Sequence, residues 1–222
     1  MAGRSGPEAR VTTGGGAARG RHAPPLEVRL PLQRGRLLQA AAEEFASRGY
    51  AQASSESISR RAGMSKATFY EHFANKEDCM IALFGTAADV VVRSVAEAAE
   101  RAGTDPIERL KAAIRAFLTT LSQHPEFAQT LLVEIFGAGP NAARRRDESL
   151  QQYAELLDAE NAAAAEQGLI DRFRSPYDAI AIVGAINELV SRQVRLAEPE
   201  DVLELAPVID RLIAGLLSPS NS

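Results

Sequence analysis

The segment of residues 54–76 constrains the fold of this chain more than any other part of its sequence. Ser54 and Ser65 each begin a short stretch with helical character, and serine is a preferred N-cap because its hydroxyl accepts a backbone N–H of the first turn. Gly63 lies between the two stretches, and a turn of about three residues that contains glycine joins the helices of a helix-turn-helix unit. The sequence therefore predicts a helix-turn-helix motif over residues 54–73.

The second helix of this motif has an apolar side and a polar side. Phe69 and Phe73 are four residues apart, so they share the side that packs inward. A recognition helix presents its N-terminal residues to the major groove. We expect the motif to bind double-stranded DNA through these small, polar and cationic residues: Ser54, Ser55, Ser65, Lys66, Ala67, Thr68, Tyr70, His72 and Lys76. The alternative is a motif used for packing alone, which would not need cations on its exposed side.

A preceding helix completes a three-helix DNA-binding unit. From Gln33 onward the apolar residues recur at the spacing of an amphipathic helix, and Gly49 is placed to end that helix in a left-handed conformation. The residues that carry this pattern are Leu37, Leu38, Ala41, Ala42 and Phe45. We expect the DNA-binding domain to occupy residues 32–92.

The rest of the chain is also predicted to be helical, which makes the fold all-α with about nine helices. Asn75 is expected to cap a fourth helix that reaches Arg101, and Asp105 with Pro106 to open the next one. Later breaks and helix starts are marked by Pro and Gly. They predict breaks at residues 124–125 and 137–140, and helices over residues 141–166, 176–196 and 199–217.

The helix-turn-helix region resembles the DNA-binding domain of TetR-family transcriptional regulators. The pattern of that family ends in Tyr-x-His-Phe followed closely by Lys, which here are residues 70–73 and Lys76. Further residues in step with it are Phe45, Gly49, Tyr50, Ile58, Ala62 and Gly63. The resemblance implies that Tyr70 and Lys76 touch DNA phosphates and that Phe73 is core. Ala67 stands where glycine is frequent and Ser59 where alanine is usual, which leaves the fold intact but obscures the operator sequence.

Charge is unevenly distributed along the chain. The net charge is −4, yet residues 1–36 carry seven Arg against two Glu, so the remainder carries −9. An acidic body is repelled by DNA, and contact should be confined to the front of the molecule. Residues 1–31 lack helical periodicity and are expected to be a disordered basic tail. That tail is either an arm that strengthens DNA contact or a passive extension.

Residues 93–222 exceed what a DNA-binding unit requires and are expected to form a ligand-binding and dimerisation domain. The resemblance implies an apolar cavity for a small apolar or amphipathic effector and a homodimer formed through the last two helices. Residues 179–187 are apolar nearly all round, and the last helix has a wide apolar stripe, which suits a pair of helices that meets its copy across a two-fold axis. Candidate pocket residues, each of which also fits a plain core position, are Phe117, Phe127, Phe136, Tyr153 and Asn187.

Composition and motifs argue against other classes of protein. Cys79 is the single cysteine, so no internal disulfide forms. No phosphate loop, nucleophile elbow or paired-histidine motif is present, which predicts no enzyme, no cofactor and no metal. No apolar run approaches the length of a membrane span, and no secretory signal is recognisable. We therefore expect a cytoplasmic protein without a membrane partner. Glu134 is a lone carboxylate on an apolar helix and is expected to pair with an arginine.

The sequence thus predicts a homodimeric repressor that a small-molecule effector releases from a palindromic operator. Its two recognition helices would lie about 34–36 Å apart in successive major grooves. One alternative keeps the fold but makes the protein an activator or an effector-independent DNA binder. A second alternative is a helical ligand-binding or partner-binding protein with a vestigial DNA unit. A third alternative is an enzyme.

Overall fold

Nine α-helices and two short 3-10 helices make up the described part of the chain, residues 26–217 of a computed structural model, which holds no strand. The 3-10 helices span Glu134–Gly137 and Val202–Leu205. The α-helices are α1 (Leu26–Gln52), α2 (Ser55–Arg61), α3 (Lys66–His72), α4 (Lys76–Arg101), α5 (Pro106–Gln123), α6 (Pro125–Leu132), α7 (Pro140–Glu166), α8 (Asp178–Leu196) and α9 (Ala206–Leu217). The all-α prediction with about nine helices is confirmed for this range.

Helix starts that were predicted from capping residues are found where expected. The hydroxyls of Ser54 and Ser65 accept the backbone N–H groups three residues on, each at 3.0 Å. The side chain of Asn75 caps α4 in the same way at 2.8 Å, and Asp105 caps α5. These residues set the boundaries because each side chain satisfies an amide that the helix itself leaves without a partner.

The start of α1 differs from the prediction. The helix begins at Leu26 and includes Pro31, so the tail that was expected to be disordered is helical from residue 26 onward. Pro31 removes one backbone donor near the N-terminus, and the carbonyl group of Glu27 that it leaves free belongs to an exposed residue that water can reach. The rest of the predicted tail, residues 1–25, lies outside the described residues.

Two boundaries near the C-terminus also differ. α8 begins at Asp178, two residues after the predicted start at Pro176, because residues 176–177 form a turn that leads into the helix. The Asp178 carboxylate accepts the backbone N–H of Ser175 at 3.0 Å, and the Ser175 hydroxyl accepts the backbone N–H of Tyr177 at 3.1 Å. The last helix was expected to open at Pro199. It begins at Ala206 instead, because Asp201 caps the intervening 3-10 helix by accepting the backbone N–H of Leu203 at 2.9 Å.

Two apolar cores stack along the molecule, and α4 contributes to both. The first lies among α1, α2, α3 and the start of α4, and it includes the fully buried Phe45 and Phe69. The second lies in the body among α4, α5, α6, α8 and α9, with Leu118 fully buried. α4 therefore connects the core of the helix-turn-helix unit to the core of the body.

α4 is more apolar than the sequence suggested. Over 18 residues its mean hydropathy reaches 1.6, so by length and composition it could cross a membrane, and it is the one described helix of which this is true. The core helix of a soluble protein passes the same test, and Asp89 and Arg93 interrupt the apolar run of this helix, so the expectation of no membrane span is not overturned by α4. Its apolar side supplies seven buried residues to the cores: Cys79, Met80, Leu83, Phe84, Ala87, Ala88 and Val91.

Candidate nucleic-acid interface and internal cavity

Three apolar side chains, Ile58, Phe69 and Phe73, hold α2 and α3 together. Ile58 and Phe69 are fully buried, and Phe73 is nearly so. Between the helices Gly63 takes a positive φ of 65°, which permits the tight turn at no steric cost. The backbone N–H of Met64 then donates to the carbonyl oxygen of Ser59 at 2.9 Å. The motif therefore presents α3 with its aromatic side fixed inward.

The opposite side of α3 is open to solvent. Ser65, Lys66, Ala67 and Tyr70 are exposed, and Thr68 is half-buried. The hydroxyls of Ser65 and Thr68 lie 3.0 Å apart, so the capping residue is also tied to its neighbour on the outer face. The N-terminal half of α3 thus offers small side chains and one cation, as a helix that enters a major groove requires.

Tyr70 connects this outer face to the start of α2. Its hydroxyl lies 3.1 Å from the Ser55 Oγ, and the ring is half exposed. The Lys66 ammonium stands 6.0 Å from the centre of the Tyr70 ring. With Ser54 exposed beside Ser55, the structure brings the predicted residues of α2 and α3 onto one polar surface.

His72 and Lys76 are turned inward more than the sequence suggested. The Lys76 Nζ donates to the carbonyl oxygens of Tyr50 at 2.6 Å and Ala53 at 2.9 Å, and burial lowers the pKa of this amine. Because an ammonium has three donors, a third N–H remains after these two hydrogen bonds, and the Nζ also lies 4.0 Å from the centre of the Tyr50 ring. His72 is half-buried, and its Nε2 is buried with no protein partner within the described range. Both residues border the surface, and neither projects from it.

Three cations of this region were not singled out from the sequence. Arg36 of α1 donates to the carbonyl oxygen of Ala62 at 2.7 Å, and the Arg34 guanidinium lies 5.2 Å from the centre of the Phe73 ring. Both were counted only in the charge of residues 1–36, although their place just before the apolar pattern of α1 puts them beside the motif. Arg61 holds α2 against α1 through an ion pair with the buried Glu44 at 2.6 Å.

The body contains an apolar cavity of about 540 Å³ among α4, α5, α7 and α8. Of the candidate pocket residues, Phe117, Tyr153 and Asn187 line it, and burial raises the pKa of the Tyr153 hydroxyl. Phe127 and Phe136 do not line it. Phe127 packs against the first core, and Phe136 is 55% exposed with the Arg146 guanidinium 4.2 Å from its ring centre.

A second cavity of about 770 Å³ adjoins the first at the end remote from the helix-turn-helix unit. The two share apolar lining at Ile107, Leu110, Ile114, Ile170 and Ile213. The second cavity is also bordered by four charged residues: Lys111, Asp171, Arg172 and Asp210. The body thus combines a deep apolar space with a polar border.

Glu134 does not pair with an arginine, which corrects the expectation for this residue. Its Oε2 accepts the backbone N–H of Tyr50 at 2.5 Å, and its Oε1 accepts a hydrogen bond from Gln129 at 2.8 Å. This contact joins α6 of the body to the break in α1 at Gly49, where φ is 75°. The partner lies 84 residues away in sequence, so local pattern gave no signal for it.

Comparison with known proteins agrees with this geometry. Residues 37–83, which include α2 and α3, match the family model for bacterial regulatory proteins of the tetR family. The chain is 38% identical over 120 residues to the HTH-type transcriptional activator FasR of Mycolicibacterium smegmatis, with 54% of this chain and 52% of FasR covered. The chain therefore spans about half the length of that relative.

Two further comparisons cover most of the chain. It is 25% identical over 182 residues to the fatty acid metabolism regulator protein of Bacillus subtilis, with 81% of this chain and 93% of that protein covered. The crystal structure of FadR from Bacillus subtilis in complex with stearoyl-CoA has the same fold, with a TM-score of 0.72 at 22% identity over 83% of this chain and 99% of that one. With residues 37–83 matched to the family model and its two-part helical fold shared with FadR, the chain carries a DNA-binding domain of the kind found in bacterial regulatory proteins of the tetR family.

Proposed function

We propose that this protein is a cytoplasmic, homodimeric repressor that leaves a palindromic operator when a fatty acyl-CoA occupies its body. The observation that carries this proposal is the apolar cavity of about 540 Å³, which is lined in part by α4, the helix that begins at the DNA-binding unit. Such a volume lies within the roughly 300–1,000 Å³ typical of ligand pockets. In this scheme residues 32–92 bind DNA and residues 93–222 bind the ligand and the second copy.

DNA contact is assigned to the exposed side of the helix-turn-helix motif. Ala67 and Thr68 are placed nearest the bases, whereas Lys66, Tyr70 and the remaining donor of Lys76 serve phosphates. Contacts to phosphates position a protein on the duplex, and contacts to base edges carry the sequence information. The exposed Ser54 and the hydrogen-bonded Ser55 and Tyr70 hydroxyls support this assignment.

An acyl-CoA is proposed as the effector for two reasons. The cavity is bounded mainly by aliphatic and aromatic side chains, which suits a hydrocarbon chain. FadR of Bacillus subtilis, which shares the fold, binds stearoyl-CoA, and AibR, another structure of this fold, binds isovaleryl coenzyme A together with operator DNA. At the polar border Lys111 and Arg172 are paired with Glu108 and Asp158, so a phosphate-bearing headgroup would compete with these carboxylates for the two cations.

Dimerisation is assigned to α8 and α9. A single protomer leaves Leu196, Leu203 and Val208 between 38% and 48% exposed along these helices and their connection. An interface built from the same surface on both subunits would cover them and set two recognition helices on one side of the dimer. Localisation in the cytoplasm follows from the need to reach DNA.

The test begins with selection of genomic fragments that the full chain binds. Operator affinity is then measured by fluorescence anisotropy with rising stearoyl-CoA, with coenzyme A alone as the control. We expect a loss of about 100-fold, which corresponds to about 2.7 kcal/mol of coupling. Operator affinity that stays the same at saturating acyl-CoA would contradict ligand control, and an absence of any bound fragment would favour a partner-binding protein with a vestigial DNA unit.

A second candidate function is activation of transcription, because FasR, with which this chain shares 38% identity, is a transcriptional activator. The two roles predict opposite signs for a reporter gene placed behind the selected operator. Deletion of this protein raises expression if it represses and lowers expression if it activates. The relatives are regulators, and we propose that this chain likewise performs no catalysis, so turnover of the acyl-CoA in the binding assay would count against that view.

A further inference from the structure

Two carboxylates bridge the helix-turn-helix unit and the body, and the first is Glu77 at the start of α4. Its Oε1 accepts the backbone N–H groups of Asn141 at 2.9 Å and Ala142 at 3.2 Å, and its Oε2 accepts the Asn141 side-chain amide at 3.3 Å. Burial alone would raise the pKa of Glu77, but these hydrogen bonds and the nearby Arg144 hold it below its ordinary value. The group is therefore ionised at neutral pH.

Glu77 takes the place of a missing N-cap on α7. The residue at the N-cap position is Gly139, which has no side chain to accept a hydrogen bond. Pro140 has no N–H, so Asn141 and Ala142 carry the amides that an N-cap side chain would normally satisfy. A Cβ atom on Gly139 would lie 2.6 Å from the Glu77 Oε1, so only glycine leaves room for this approach. The start of α7 is thus capped by a residue of α4.

Glu134 is the second carboxylate. It belongs to the body and contacts the helix-turn-helix unit, whereas Glu77 belongs to the helix-turn-helix unit and contacts the body. Glu134 lies in the 3-10 helix after α6 and accepts the backbone N–H of Tyr50, directly after the break at Gly49. The carbonyl oxygen of the same Tyr50 accepts the Lys76 ammonium at 2.6 Å. Tyr50 is therefore held through its N–H by the body and through its carbonyl by α4. Four residues later Ser54 caps α2, so the entry to the motif depends on both contacts.

Both carboxylates are also connected to the cavity. α7, which Glu77 caps, lines it with Ser149, Leu150 and Tyr153 among others. α6, which leads into Glu134, lines it with Leu131 and Leu132, and the buried Ser191 of α8 donates to the Leu132 carbonyl oxygen at 2.8 Å. A ligand that moves α6 or α7 must therefore move one of the two hydrogen-bonded carboxylates or break its contact.

We propose that Glu77 and Glu134 are the positioning residues that set the helix-turn-helix unit on the body and transmit occupancy of the cavity to it. The inference rests on the proposed function for its ligand-dependent part. Coupling between two sites requires an element with different contacts in the two states. Here that element is the segment from Gly49 to Ser54, which is held between Glu134 and Lys76.

The test uses Ala and Gln variants at each position in the full-length protein. Ala removes the acceptor, whereas Gln keeps one oxygen that can accept the backbone N–H. Glu97→Ala is the matched control, because Glu97 lies on the same helix and, among residues 26–217, its ion-pair partner is the exposed Arg101 at 3.5 Å. Operator affinity is measured with and without stearoyl-CoA, ligand affinity is measured without DNA, and circular dichroism checks that each variant is folded.

We expect the ratio of operator affinities without and with ligand to fall from about 100-fold to under about 10-fold in Glu77→Ala and Glu134→Ala, with ligand affinity unchanged in the absence of DNA. Gln variants should stay within about threefold of the wild-type ratio because they keep the acceptor oxygen. A wild-type ratio in both Ala variants would overturn the transmitting role. A loss of equal size in Glu97→Ala would do the same.

If the proposed ligand control is wrong, the experiment gives a result that can be told apart from failure of the positioning role. The wild type itself would then not respond to acyl-CoA, and the positioning role is judged on ligand-free protein. In that comparison we expect both folded Ala variants to bind operator at least about tenfold more weakly than the wild type. The reason is that a smaller fraction of the molecules holds the helix-turn-helix motif in the orientation that binds DNA. Unchanged affinity in that comparison would overturn the positioning role as well.

Discussion

The Lys76 ammonium joins the start of α4 to the end of α1. Its Nζ lies 2.6 Å from the Tyr50 carbonyl oxygen and 4.0 Å from the centre of the Tyr50 ring. A residue that resemblance assigns to DNA phosphate is thus also part of the protein's own framework. The same lysine side chain satisfies two carbonyl groups next to the motif. Its replacement should affect both stability and DNA binding.

Lys76→Met should lower the free energy of unfolding by about 1–3 kcal/mol, because two carbonyl groups are left without their donor in a half-buried site. Urea unfolding of the purified variant measures this decrease. Lys111→Met is the control, since its ammonium pairs with Glu108 on the surface and such pairs contribute about 0–1 kcal/mol. Equal stability of the two variants would contradict the framework role of Lys76.

Tyr70→Phe should weaken operator binding by about 1 kcal/mol for each hydrogen bond that the phenol hydroxyl makes to DNA, because this hydroxyl is one hydrogen-bonding group on the proposed DNA surface. Stability should stay near wild type, since the ring of Tyr70 is half exposed. Tyr177→Phe provides the control, with a ring that is 73% exposed on the body. Anisotropy titration with the selected operator measures the effect, and an operator affinity equal to that of the control would remove Tyr70 from the interface.

Ala113→Phe should fill part of the cavity and lower acyl-CoA affinity at least tenfold, which is about 1.4 kcal/mol. Ala113 is on α5 and lines the cavity. Operator affinity without ligand should remain, so the variant should stay on DNA at ligand concentrations that release the wild type. Ala163→Phe on the exposed side of α7 is the control. Normal ligand affinity in Ala113→Phe would place the effector elsewhere.

Val208→Asp should disrupt the homodimer, because it introduces a charge at a position of α9 that is 39% exposed in a single protomer and is assigned to the apolar interface. Light scattering after size exclusion measures the mass. Val28→Asp, on α1 at 50% exposure, should leave the mass unchanged. If Val208→Asp runs as the wild type does, α9 is not the interface.

The ion pair of Glu44 with Arg61 predicts a pH dependence of stability. Burial alone would raise the pKa of Glu44, but the hydrogen bond from Arg61, the nearby Ser57 hydroxyl and the charges of Arg61 and Arg48 lower it from 4.5. A lowered folded-state pKa gives stability that is present above the unfolded pKa and is lost as pH falls through the folded one. Glu44→Gln should therefore be less stable than wild type at pH 7, by about 1–3 kcal/mol. That difference should shrink below pH 4.5 in urea unfolding, and a difference that persists would mean the charge is not its source.

Much of the local structure was predictable because its causes lie within a few residues. Ser54, Ser65 and Asn75 cap their helices through amides three positions away, so the residue type and its place before a periodic stretch were sufficient. Phe69 and Phe73 were correctly assigned to the core by helical spacing alone. The start of α1 was missed, because Pro31 lies near a helix end where the loss of one donor is tolerated.

Positions that depend on distant partners were not predictable. Phe127 and Phe136 suit a pocket by residue type. The course of the chain around α6 instead packs Phe127 against the first core and leaves Phe136 exposed to solvent. Lys76 was assigned to phosphate, and only the approach of α1 to α4 shows that Tyr50 and Ala53 hold it. Packing between elements decides these cases, and a single sequence has no local signal for it.

The sequence by itself determined the helix-turn-helix motif, its exposed polar side and the division into a basic front and an acidic body, because capping, periodicity and charge act locally or by simple addition. Tertiary structure alone decided how that motif is joined to the cavity. Glu77 meets Asn141 across 64 residues and Glu134 meets Tyr50 across 84. A carboxylate finds backbone amides at such separations only when the packing of whole helices brings them within hydrogen-bonding distance.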